Sequence, residues 1–275
     1  MSLSIFVSRV GRLAIALCVL TSCASKLIRL GDQALPDEAG NSFGGAANDN
    51  GGDGGGGGII GPGGDGGTGA SGQPCPHAQI AAGEVLWIGD SWIQTPGTQH
   101  TRVRDLARAA GAIEQNEDYF NLAAAASNMA AVAKQYDTRQ SGAIKVKVLL
   151  MDGGTWDPID AQISGGSAAV PAAIDSSIRT FQQFLAKVAG DGTVEHIVYF
   201  LVPELASVPG VASMRPRLQQ ACSESSVPCH FIDLQPSWQG HPEYTAADGI
   251  QSSEAGALVI ADLIWQRMQE NCIAQ

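Results

Sequence analysis

Glu84-Val85-Leu86-Trp87-Ile88-Gly89-Asp90-Ser91-Trp92 is the stretch on which the reading of this chain turns. Its apolar run is too short for a buried helix and reads as a strand covered on both faces. Gly89-Asp90-Ser91 then supplies turn chemistry. A serine in a tight turn at a strand end can face a ligand while its backbone N–H stays free to hold an oxyanion. Gly-Asp-Ser alone is a weak signal, because such turns are common, so the rest of the chain has to agree with it.

Working outward, strands and helices alternate. Tyr119-Phe120-Asn121-Leu122, Lys145-Val146-Lys147-Val148-Leu149-Leu150-Met151, His196-Ile197-Val198-Tyr199-Phe200-Leu201-Val202 and His230-Phe231-Ile232-Asp233 read as four further strands. Helical spacing predicts helices over 101–110 (Val103, Leu106 and Ala110 inward), 127–136, 172–189 (Ile178, Phe181, Phe184, Leu185 and Val188), 214–223 and 253–269 (Leu258, Ile260, Ala261, Ile264 and Trp265). Strict alternation with short apolar strands predicts an α/β fold, a three-layer α/β/α sandwich around a mainly parallel five-stranded sheet. Ligands of such sheets bind at the carboxyl ends of the strands, so the informative residues should follow each strand.

Near the C-terminus, Asp248-Gly249-Ile250-Gln251 precedes Ser252-Ser253-Glu254-Ala255-Gly256 and the last helix. Taken in order with Gly89-Asp90-Ser91, this resembles the SGNH (GDSL) hydrolases, which carry Gly-Asp-Ser after the first strand and Asp-x-x-His before the last helix. The resemblance spans residues 75–275 and implies Ser91 as nucleophile and Asp248 as triad acid. Gln251 stands where the family has its histidine. Asn121-Leu122-Ala123-Ala124-Ala125-Ala126 stands where it often reads Asn-x-Gly-x-x-Gly, so that Ala123 and Ala126 replace glycines. Gly154-Thr155-Trp156-Asp157 stands where it reads Gly-x-Asn-Asp, so that Trp156 replaces the side-chain oxyanion donor.

These departures carry physical weight. A glutamine amide is not basic near neutral pH and cannot take a proton from serine. An indole N–H is still a donor, but with a different reach and a bulk that narrows a pocket. His241, on the loop before Asp248, is the substitute base the sequence offers; its other reading is a solvent-facing histidine. His100 belongs to a helix start, His77 lies beside the tether, and His196 and His230 sit at strand beginnings, the far end of the sheet. Asp90 and Asp157 read equally as carboxylates that accept turn N–H groups. Trp92, Trp156 and Trp238 fall near strand ends, as stacking walls for a ligand or as core packing.

The N-terminus predicts export. Arg9 and Arg12 precede the apolar stretch Leu13 to Leu20, too short to span a bilayer. Leu20-Thr21-Ser22-Cys23 resembles a bacterial lipobox, which implies cleavage before Cys23, acylation of that cysteine and a membrane anchor. Residues 1–22 then form a signal and residues 23–74 a tether, dominated by Gly, Asp, Asn and Ala, that cannot bury enough apolar surface to offset chain entropy. Its Gly-Gly-Asp segments do not keep the register of a calcium-binding repeat. With Ala24 after the cysteine, the expected location is the cell envelope, on the outer membrane.

The formal charge is −11, and loss of Arg9 and Arg12 with the signal leaves −13, which argues against nucleic acid as a partner. Besides Cys18 and Cys23 the chain has Cys75, Cys222, Cys229 and Cys272. Export suggests disulfides; of three connectivities we favour Cys222–Cys229, joining a helix end to the next strand, and Cys75–Cys272, stapling the domain's ends. No metal-ligand pattern and no cofactor motif is present in the sequence. Three readings follow: an ester hydrolase acting on acyl groups of envelope carbohydrate or lipid, a carbohydrate- or protein-binding module that has lost the chemistry, and a structural surface protein.

Overall fold

The computed structural model describes residues 75 and 79–274. The signal, the tether with Cys23, and His77 lie outside the described residues. Among the described residues, five strands form one sheet: β1 (Val85–Ile88), β2 (Phe120–Asn121), β3 (Val148–Met151), β4 (His196–Leu201) and β5 (Cys229–Asp233). Their order is β2-β1-β3-β4-β5 and every neighbouring pair is parallel. Eight α-helices accompany them: α1 (Ser91–Gln94), α2 (Thr98–Ala109), α3 (Met129–Gln140), α4 (Trp156–Gly165), α5 (Val170–Asp191), α6 (Val211–Ser223), α7 (Gln235–Trp238) and α8 (Glu254–Glu270). Helix α2 packs on α8, while α5 packs on both α3 and α6, so the helices form two layers. The three-layer α/β/α fold is therefore the observed one.

The central strands need cover on both faces, and their sequences supply it. Every residue of β1 and β3 is buried. Trp87, Leu149, Leu150, Tyr199 and Phe200 are fully inaccessible. Strand β2 is one edge; it is two residues long with both side chains exposed, a length that limits pairing with other chains. The face of α5 is the one its spacing predicts: Ile178, Phe181, Phe184, Leu185 and Val188 are all buried.

Two helix faces differ from expectation. In α8 the buried stripe is Ala257, Ile260, Ala261, Ile264, Trp265 and Met268, whereas Leu258 is 40 % exposed. Leu258 sits one residue, about 100°, off the stripe. In α2 the buried residues are Gln99, Val103 and Ala107; Ala110 caps the helix end and is exposed. Helix α4 is not foreseen by periodicity. Its Pro158 falls in the first turn, where amides have no intrahelical acceptor and proline is tolerated.

The structure joins Cys75 to Cys272 and Cys222 to Cys229, with Cα–Cα distances of 5.1 and 5.3 Å. The first bond joins Cys75, the first of the described residues, to the segment just after α8. The second links α6 to β5. No helix among the described residues is long and apolar enough to cross a membrane.

The sheet order has one consequence for function. From β1 the chain runs outward to β2 and then crosses back to β3 on the other side of β1. Reversal of this kind opens a crevice at the carboxyl ends of the strands. The residues that follow β1 and β3 meet there.

Candidate active site

Ser91 opens α1 directly beyond β1. Gly89 has φ of 155°, and a Cβ there would overlap the Asp152 carboxylate, so only glycine lets the turn approach β3 this closely. The side chain of Gln135 on α3 pins this glycine at both backbone groups, accepting from Gly89 N at 2.7 Å and donating to Gly89 O at 2.9 Å. Asp90 caps α1 by accepting the Trp92 N–H at 3.0 Å, and its other oxygen accepts Thr155 Oγ1 at 3.2 Å. Asp90 is thus the structural carboxylate of the turn. Ser91 itself is 7 % exposed, and among the described residues neither its Oγ nor its N–H has a hydrogen-bond partner.

Beneath the turn lies a residue that sequence reasoning passed over. Asp152, the first residue after β3, is completely buried, and its Oδ1 accepts the Asp90 N–H at 2.8 Å. Its Oδ2 meets no donor among the described residues. Burial, then the adjacent Asp90 carboxylate, hold the Asp152 carboxyl well above the usual carboxylate range. The signal was present: an acid placed directly after an apolar strand, Leu149-Leu150-Met151-Asp152, at the carboxyl end of a parallel sheet.

The second part of the site is the loop before α8. Thr245 and Ser252 form an antiparallel bridge, and Ala246 N donates to Gln251 O at 2.8 Å, so the loop is a small hairpin. At its tip the Asp248 carboxylate accepts the backbone N–H groups of Ile250 (2.8 Å) and Gln251 (3.0 Å). This loop is tied to the serine segment: Trp92 Nε1 donates to Ile250 O at 3.0 Å, and Gln99 Nε2 bonds both Trp92 O and Ser252 Oγ. The structure therefore brings the Ser91 turn and the Asp248–Gln251 loop together. It engages the Asp248 carboxylate with its own turn, and position 251 carries an amide side chain.

Ala123, Ala126 and Trp156 are the positions that the resemblance matches to the family's oxyanion segments. Ala123 N donates to Asn121 Oδ1 at 2.9 Å, so this backbone N–H is engaged within its own turn. Ala126 holds φ of 59°, a left-handed conformation that glycine adopts freely and alanine at a cost of about 1–2 kcal/mol. Trp156 is the first residue of α4 and half-buried; Thr155, just before it, bonds Asp90, just before Ser91. Asp157 accepts the Met129 N–H at 2.9 Å and so links α4 to the start of α3. Burial raises its carboxyl above the ordinary value.

His241 is placed elsewhere on the surface of the same region. Its Nδ1 lies 2.8 Å from Glu243 Oε1, and its ring stacks on Tyr244 with centroids 4.5 Å apart. Tyr244 packs on Trp238, and Trp238 on Trp92, so a run of ring contacts connects His241 to the residue after the serine. No hydrogen bond joins His241 to Ser91 among the described residues. Trp92 and Trp238 are 2 % and 7 % exposed. Both are packed into the core rather than open to a ligand; of the three tryptophans only Trp156 is partly exposed rather than buried. His100 bonds Tyr119 O from within α2. His196 and His230 hydrogen-bond one another at the opposite end of the sheet.

The architecture and the serine turn together define the class: a hydrolase-type α/β fold. No family model matches the chain, and no curated protein matches it. Among solved structures, an α/β hydrolase from the metagenome of Lake Arreo, Spain, is 16% identical with a TM-score of 0.56, covering 72% of this chain and 99% of its own. The acetylxylan esterase Axe2 from Geobacillus stearothermophilus is 14% identical (TM-score 0.53), covering 70% of this chain and 96% of its own. The acetyl xylan esterase AlAXEase is 13% identical (TM-score 0.53), covering 66% and 98%. At these identities the likeness establishes the shared fold.

Proposed function

We propose that this chain is an SGNH-type hydrolase-fold lipoprotein of the cell envelope in which ester hydrolysis is weak or lost. One observation carries the reading. The Asp248 carboxylate is bound to the amides of its own turn, and the neighbouring position that would hold a base carries Gln251. Without a base, the serine hydroxyl keeps its proton and attacks slowly; loss of one member of a serine triad lowers turnover by several orders of magnitude. What remains is a serine whose N–H and hydroxyl have no partner among the described residues, on a turn that the Asp90–Thr155 bond ties to the start of α4 and Trp156.

Those remnants favour a second reading of the same site, a module that holds a carbohydrate or protein ligand without reacting with it. The acetylxylan esterases among the structural neighbours make O-acetylated glycan the first ligand class to try. Export and anchoring rest on the lipobox-like Leu20-Thr21-Ser22-Cys23. Mass spectrometry of the mature N-terminus should find an acylated Cys23; a free Ala24 or a retained Met1 would remove the anchor from the proposal.

A fluorophosphonate serine probe tests the chemistry directly. Slow or absent labelling of Ser91, with negligible release of acetate from acetylated xylooligosaccharide, is the expected result. Rapid labelling at Ser91 with efficient turnover would show that the pocket activates its serine by other means.

A further inference from the structure

Asp152 has no place in the reading above, yet it is the most enclosed carboxyl group described. Three facts define it. It has no accessible surface, its Oδ1 holds the Asp90 N–H at 2.8 Å, and its Oδ2 faces no hydrogen-bond donor among the described residues. Among the described residues the titratable groups beside it are Asp90 on the serine turn, whose N–H it accepts, and Tyr199 on β4, both acids or potential anions. The Tyr199 hydroxyl donates instead to Gly153 O at 2.9 Å, and the Gln135 side chain of α3 is engaged with Gly89 and Ser127. Nothing in this set compensates a second negative charge. A buried, uncompensated carboxylate beside another is costly enough that such groups take up a proton instead.

We infer that Asp152 works as a neutral carboxylic acid: Oδ1 accepts the Asp90 N–H while the proton on Oδ2 is given to the Asp90 carboxylate, and this pair sets the turn that presents Ser91. Asp152 is then a positioning residue. It touches no substrate and acts through Asp90, whose two oxygens hold Trp92 N and Thr155 Oγ1 and thereby orient the start of α1 and of α4. The burial and the neighbouring Asp90 that raise the Asp152 carboxyl agree with this geometry.

The inference fixes a sign. Well below its ordinary value of about 3.9 an aspartic acid is neutral both folded and unfolded. As pH rises, the unfolded chain releases this proton while the folded chain keeps it, so wild-type stability falls until the folded group itself ionises. Asparagine has the shape of the neutral acid, with an acceptor oxygen and an N–H donor group in the corresponding places. Asp152→Asn should therefore gain on wild type as pH rises from 5 to 8, by a few degrees of Tm per pH unit, and match it well below pH 4. The gain should be local: at pH 8, hydrogen exchange in the peptide spanning residues 89–94 should be slower in the variant than in wild type.

A Tm difference that is constant with pH, or one that favours wild type more strongly as pH rises, overturns the inference. So does a pH-dependent difference without a change in exchange at residues 89–94. Asp90→Asn is the companion variant, since asparagine keeps the cap while removing the facing charge. It should shrink the wild-type loss of stability between pH 5 and 8, and an unchanged loss counts against the pair even where Asp152→Asn does not fold. The inference rests on taking the Ser91 turn as the site, but its test needs no chemistry there. Labelling by the fluorophosphonate probe decides the site reading separately from these profiles.

Discussion

Trp92 Nε1 donates to the carbonyl of Ile250 at 3.0 Å, bonding the residue that follows Ser91 to the residue that precedes Gln251. Two parts of the site that are 158 positions apart in the chain are held by this bond and by the Gln99 amide beneath it. The aromatic packing of Trp92 on Trp238 would survive replacement by phenylalanine, but the bond would not. Trp92→Phe should lower stability by about 1–2 kcal/mol, the loss of one partly buried hydrogen bond together with some ring volume. It should also speed hydrogen exchange in residues 248–252. Unchanged exchange in that loop would show that Trp92 is not what holds it.

Gln251→His places a basic nitrogen on the loop that already lies against the serine segment. Positioned general bases contribute about 10²–10⁴ in rate. Because Asp248 is engaged with the Ile250 and Gln251 amides, the lower end is expected, a gain of about 10² on a simple acetyl ester. The gain should follow ionisation of an imidazole near pH 6.5 and disappear in the double variant with Ser91→Ala. A gain that persists without Ser91 would place the chemistry elsewhere.

The two disulfides should differ in weight. The bond between Cys75 and Cys272 closes a loop of 197 residues, and that between Cys222 and Cys229 one of 7. On the chain-entropy account the first stabilises by on the order of 5 kcal/mol and the second by about 2–3 kcal/mol. Paired replacement by alanine, followed by denaturant unfolding, checks the ranking. Equal losses would point to native-state packing around each bond and not to the unfolded chain.

His196 and His230 predict acid sensitivity at the far end of the sheet. Their facing nitrogens are 3.2 Å apart. Burial, with smaller effects of His196 and Arg267, pushes His230 down to about 4, and burial also lowers His196. A histidine kept neutral in the fold gives no penalty above its ordinary value near 6.5. Below that the unfolded chain binds a proton the folded chain resists, so stability falls from about pH 6.5 toward pH 4. His230→Gln should flatten this limb of the Tm profile. An acid limb identical to wild type would assign the loss to other groups.

Much of this molecule was legible along the chain because its signals are local. Apolar runs of four to seven residues, helical spacing in α5, and turn residues after each strand report burial within one element, and a parallel sheet enforces them. Motif order pointed to Ser91, directly beyond β1, and to Asp248 and Gln251, on the loop before α8. The misreadings are also local in kind: Leu258 and Ala110 were assigned by spacing one residue too generously, and α4 was hidden by a Gly- and Pro-containing start.

The amino-acid sequence by itself determined the alternation of elements, the absence of a histidine three residues after Asp248, and a serine poised in a turn. Only the tertiary structure decided what each polar group binds. It bonds the Ala123 N–H to Asn121, the Asp248 carboxylate to its own loop, His241 to Glu243, and Asp152 beneath Asp90. Periodicity reports which way a residue faces. Hydrogen-bond partnership is set by the register of β1 against β3 and by the packing of loops across the sheet's carboxyl edge, distances that no short stretch of chain encodes.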